Sequence, residues 1–207
     1  MNYQKLPISF FDLIVLAVLV LGLMRGRRHG MSEELMGMLK WILIVIGCAF
    51  IYEPLGRALA QSSPFSLLAS YMFVYAGGLL LVLGIFGLTK HYLGGKLVGS
   101  DIFGKSEYYL GMGAGLVRFA CVLMAILALL NARYFSPQEV RAMENFQNDV
   151  YGSNYFPTWH TAQAIVFDES FSGGWIRDHL GFFLIRPTAP EDKQFHQKEA
   201  DIPPIGR

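Results

Sequence analysis

From Phe65 to Leu88 the chain runs through twenty-four residues without one charged side chain. Three further apolar runs flank it: Ile8–Met24, interrupted by Asp12; Leu35–Ile51, interrupted by Lys40; and Tyr109–Leu130, interrupted by Arg118. A helix rises 1.5 Å per residue and the hydrocarbon core of a bilayer is about 30 Å thick, so roughly 17–25 apolar residues cross it. All four runs reach that length. Helices of a soluble bundle would carry a polar stripe at helical spacing, whereas Ile42–Ala49 and Gly77–Gly87 are apolar all round. The runs predict an all-α membrane protein with four transmembrane helices. Asp12 within the first run, and the lack of a small-x-small site before Arg25, predict a retained span rather than a cleaved signal peptide.

Charge locates the rest. Only 16% of the 207 residues are charged, against roughly 25% in a soluble domain. The net charge of +1 divides into ten Lys/Arg and six Asp/Glu in residues 1–130, and seven and ten in residues 131–207. The boundary near Asn131 separates a membrane domain, 1–130, from a tail, 131–207. The small net charge gives no support to nucleic-acid binding, the apolar content excludes a wholly disordered chain, and two cysteines exclude a disulfide scaffold. Arg25, Arg27 and Arg28 in the first short loop and Lys90, Lys96 and Lys105 in the third outnumber Lys5, Arg57, Arg133 and Arg141 on the other side. By the positive-inside rule the basic loops face the cytoplasm, and the N-terminus and tail are extracytoplasmic.

Several residues stand out against this background. Gly22, Gly26 and Gly30 recur at four-residue spacing, which suits either close helix packing or a flexible loop whose arginines meet anionic headgroups. Ser32, Glu33 and Glu34 resemble a helix start. Arg118 lies nine residues into the fourth run, where a charge either pairs within the bundle, with Glu33, Glu34 or Glu107 as candidates, or snorkels to the interface. Lys40, nearer its run's end, suits snorkelling. Asp12 begins the first span and could meet Arg57, which also follows Glu53 at i, i+4. Gly77 or Gly78 with Gly84, and Gly111 with Gly115, offer small faces for helix contact, within the bundle or between copies. Cys48 and Cys121 read as small apolar residues inside spans.

Together these residues carry a resemblance. Asp12 at the first helix start, Gly22-x-x-Arg25-Gly26, then Glu34-Leu35 with Trp41 six residues further, and Gly111-x-x-x-Gly115-x-x-Arg118 on the fourth span are similar to the motifs of the colicin V production protein family of bacterial inner-membrane proteins. The likeness covers about residues 8–130. Glu107-Tyr108 stands where that family commonly has Asp-Arg, and Phe119 where it commonly has glycine. The resemblance implies an inner-membrane location and an accessory or scaffold role in toxin production or export and in envelope physiology. The rival expectation is a small transporter or channel subunit with Arg118 lining a polar path.

The tail opens with a capping box at Ser136-Pro137-Gln138-Glu139. Val140, Met143 and Phe146 then share one face. A second short helix is expected over Thr158–Phe167. Trp175–Ile185 groups Trp175, Ile176, Leu180, Phe183 and Leu184 and is too short to span; it suits a helix lying on the outer leaflet or packed on the bundle. Polar, proline-bearing sequence from about residue 187 predicts disorder. His160, Asp168, Asp178 and His179 lack metal-ligand spacing, and no nucleotide or nucleophile motif occurs. The sequence thus predicts no catalytic residue, no metal and no cofactor, and as partners the lipid bilayer and a membrane protein or second copy of the chain.

Overall fold

The computed structural model describes residues 9–97, 106–152 and 158–189. Lys5, Lys105 and the stretch from 190 onward lie outside the described residues, as does the side chain of Lys96. Within them the chain is helical: α1, Phe10–Ser62; α2, Leu67–Leu97; α3, Glu107–Leu130; α4, Pro137–Tyr151; α5, Trp159–Gln163, continued by a π-turn at Ala164–Asp168; and α6, Phe171–Leu180, followed by a 3-10 turn at Gly181–Phe183. Three of these, α1, α2 and α3, are long and apolar enough to cross a membrane.

The first two apolar runs form two helices that meet at a kink and are described together as α1. Helical geometry persists through the arginines and through Ser32-Glu33-Glu34, and Gly30 alone departs from it, with φ 74° and ψ 173°. Residues bearing a Cβ rarely enter that region. The chain reverses there into two antiparallel arms, 10–29 and 31–62, so that Phe11 and Tyr52 meet in one core. The second arm thus starts just before Ser32-Glu33-Glu34, where the sequence suggests a helix start.

Tyr71 and Tyr75 of α2 pack on the second arm, where a Cβ at Gly56 would strike the Tyr71 ring. Tyr52 and Tyr71 meet edge-on with centroids 5.4 Å apart. Leu123 and Leu127 of α3 complete the core with Ile44 and Cys48. Outward faces of the long helices carry Phe10, Phe50, Leu80 and Leu88, each at least 62% exposed. Contiguous exposed apolar surface on this scale is the mark of a lipid-facing protein.

The tail seals one end of the bundle. Gln163 Nε2 donates to the carbonyls of Leu130 and Arg133, Asn131 Nδ2 donates to the Ile185 carbonyl at 2.9 Å, and Val166, Phe167, Ile176, Leu184 and Ile185 join the core. The bond from Gln163 to Leu130 occupies a carbonyl that the end of α3 leaves without an intrahelical partner. Pairing continues to Thr188, whose N–H donates to Ala132 and whose carbonyl accepts from Tyr134. The capping box forms as the sequence predicts, Ser136 with Glu139. Trp175, however, is exposed while Ile176 and Leu184 are buried, so the five residues grouped by sequence spacing do not share one side.

Candidate functional site

The hairpin bend is where the sequence motifs converge. Gly22 and Gly26 of the first arm press directly on Gly111 and Gly115 of α3. A Cβ at Gly26 would strike the Gly111 carbonyl oxygen, and one at Gly115 the Gly22 carbonyl oxygen. One at Gly111 would lie 2.6 Å from the Gly26 carbonyl oxygen and 2.7 Å from the Gly30 carbonyl carbon. Backbone thus lies against backbone, an approach that membrane helices reach only through small residues. Of the two readings of the glycine spacing, packing within the bundle is the one adopted. Phe119, where the family commonly has glycine, lies over Gly22, with its Cβ 2.9 Å from the position a Gly22 Cβ would take.

That approach carries Arg118 to the second arm. Its Nη1 donates to Glu34 Oε2 at 2.6 Å, and Glu34 is 2% exposed. Arg25 Nε lies 3.6 Å from the other carboxylate oxygen, and His29 Nδ1 lies 4.0 Å from it. Gly37, one turn beyond Glu34, leaves the space that the guanidinium fills: a Cβ there would sit 3.1 Å from Arg118 Nη1. Arg118 is therefore paired in the bundle, and its partner is Glu34 rather than the exposed Glu33. Glu107 lies against the bend instead, accepting from the Ser32 N–H at 3.4 Å. Arg27 is placed over the Tyr108 ring, 4.9 Å from its centroid. A buried carboxylate held between guanidiniums is an electrostatic clamp.

Asp12 lies at the opposite end, about 27 Å from Gly30 along the first arm at 1.5 Å per residue. The expected contact with Arg57 does not form. Arg57 turns to Glu53, at 2.5 Å, and to the Tyr71 hydroxyl. Asp12 instead accepts from the backbone N–H groups of Phe171 at 3.2 Å and Ser172 at 2.8 Å, from the Ser172 hydroxyl, and from its own helix start at Ser9. The first N–H groups of a helix have no internal partner and carry positive dipole, which makes the α6 terminus a better match for a carboxylate than a guanidinium already engaged. Glu53 also receives Arg186 at 3.3 Å, and the Tyr52 hydroxyl accepts from the Arg186 N–H.

Of the residues singled out in the sequence, Gly22, Arg25, Gly26, Glu34, Gly111, Gly115 and Arg118 come together; Trp41 packs half-buried against the core two turns away, and Asp12 stands apart. Sequence reasoning missed Gly37, for which Glu34-x-x-Gly37 was the available signal; the reversal at Gly30 falls within the loop expected between the first two spans. The four tail residues weighed as metal ligands are dispersed: Asp168 pairs with Arg177, His160 meets Phe135 and His179 stacks on Trp175.

A family model described as colicin V production protein matches residues 11–159. Comparison with curated proteins and with solved structures gave no significant match. The matched stretch takes in Asp12, both glycine faces, Glu34 and Arg118, and continues past residue 130 through α4 to the first residue of α5. Spanning well over half of the chain and every residue of the glycine-packed clamp, it makes this transmembrane protein a member of the colicin V production protein family.

Proposed function

We propose that the chain is a four-span inner-membrane protein that serves, without catalysing a reaction, as an accessory or scaffold component in toxin production or export. Each arm of α1 supplies one span, α2 and α3 the others. The observation that carries the proposal is the clamp: the buried charges of the bend are spent on each other, Arg118 on Glu34, and backbone fills the space between α1 and α3. That arrangement favours a rigid support over a small transporter, in which Arg118 would face a polar path. The partner of such a support is another membrane protein or a second copy of the chain.

Two measurements test the reading. In a toxin-producing host, deletion of the chain lowers the toxin activity released into the medium and the intact chain restores it; unchanged release overturns the role. In liposomes the purified protein gives ion and solute flux no higher than empty vesicles; flux above that level reinstates the transporter.

A further inference from the structure

The segment 171–186 is tied at both ends to one level of the bundle. Its start is held by Asp12 of the first arm. Its end is held by Tyr52 and Glu53 of the second arm and by Asn131 at the end of α3. At 1.5 Å per residue, Asp12 and Tyr52 lie about 27 and 33 Å from Gly30 along their arms, and Asn131 lies about 30 Å from Gly111, which packs at the bend. These three lengths match the hydrocarbon thickness of a bilayer, about 30 Å. With the arginines of the bend at one interface, α6 therefore lies across the bundle at the level of the other.

The two sides of α6 differ. Ile176 is buried in the core, and Gly173 is buried against the Val166 carbonyl of the preceding turn. Phe171, Trp175 and Phe182 point away, 65%, 48% and 64% exposed. Trp175 stacks on His179 with centroids 4.8 Å apart and has Asp178 nearby in sequence, so its outer surroundings are mixed aromatic and polar. Beside Asp12, Phe10 and Leu13 present the same kind of exposed apolar surface, 74% and 56%, on the flank of a membrane-spanning helix. The aromatic side of α6 thus continues the lipid-facing surface of α1. Aromatic residues with one wet edge prefer the headgroup region.

We propose that α6 is an interfacial helix, pinned to the bundle by Asp12, whose Phe171 and Trp175, with Phe182 of the 3-10 turn that follows it, lie in the lipid headgroup layer of the leaflet on Asp12's side. The proposal is independent of any role in toxin export. The test uses the full chain in nanodiscs of phosphatidylcholine and phosphatidylglycerol, with Trp41→Phe and Trp159→Phe so that Trp175 alone fluoresces. Headgroup spin-labelled lipid is expected to remove about half of the Trp175 emission, more than lipid labelled deep in the acyl chain does. Strong acrylamide quenching without lipid quenching puts the face in water and overturns the proposal. Shielding from both puts it against protein and overturns it as well, and stronger quenching by the deep label overturns the assigned level. Where the double variant fails to assemble, a spin label at Phe182→Cys gives the same reading through its relative accessibility to oxygen and to a water-soluble nickel chelate.

Discussion

Glu34 is an acid with almost no exposed surface, placed between two guanidiniums on different helices. Removing water from such a pair costs several kcal/mol per ion, and the attraction between partners offsets it only while both are present. Arg118→Leu is therefore expected to lower stability by up to about 3–5 kcal/mol, because it takes from the buried Glu34 its nearer partner and leaves Arg25 at 3.6 Å; Glu34→Leu is expected to cost less, because the Arg118 side chain is 24% exposed. The double variant should lose much less than the sum. Thermal unfolding in detergent, arranged as a double-mutant cycle, checks this; additive losses would show that the two residues are not coupled. The charge at Arg118 was conspicuous in the sequence, but its partner was not. Choosing among Glu33, Glu34 and Glu107 depends on how the second arm is rotated, and Gly30 and Gly37 set that rotation through backbone geometry and empty space, neither of which has a period to read. Asp12 was equally visible as a helix-start acid, yet its partner lies 160 positions away on a helix with no acid-binding motif.

Among the elements, the glycines divide sharply by what surrounds them. Gly22, Gly26, Gly111 and Gly115 face backbone, whereas a Cβ at Gly47, Gly77 or Gly84 would meet nothing within 4 Å. Gly26→Ala and Gly115→Ala should thus force α1 and α3 apart at a cost of about 1–3 kcal/mol. Gly47→Ala and Gly84→Ala should be neutral or stabilising by up to about 1 kcal/mol, since alanine is the better helix former. Equal effects at the two groups, measured by unfolding in one detergent, would mean that the glycine contact contributes nothing. Gly30→Ala combines two costs: backbone strain of order 1–3 kcal/mol at φ 74°, and a Cβ that would lie 2.9 Å from Glu107 Cγ of α3. The apolar runs and the glycine spacing were legible because hydrophobic length and small-residue period are sequence properties. The tightness of the reversal was not, since the arginines and glutamates that read as a loop are helical on either side of a single residue, Gly30.

At the scale of the whole molecule, the bend and the sealed end give the bundle two unlike poles, and the start of α6 is held to one of them by Asp12. Asp12→Ala removes three bonds to α6. At a net loss of about 2 kcal/mol for hydrogen bonds to a charged group, the detached state should rise roughly thirtyfold. Trypsin cleavage at Arg177 reports it, and unchanged cleavage would show that the core contacts of Ile176 and Leu184 hold the tail unaided. The poles also differ in charge. Arg25, Arg27 and Arg28 crowd the bend, to which the C-terminal end of α2 and the start of α3 return, while acids balance Arg57 and Arg186 at the sealed end. Because arginine and lysine in short loops are retained in the cytoplasm, the bend should face inward and the sealed end outward. Gln61→Cys, exposed beyond Arg57, is expected to react with a membrane-impermeant maleimide on intact cells. Tyr92→Cys, 82% exposed toward the bend end of α2, should react only after the cells are opened. Reversal of the two labelling patterns would invert the molecule in the membrane and, with it, the leaflet assigned to the aromatic face of α6.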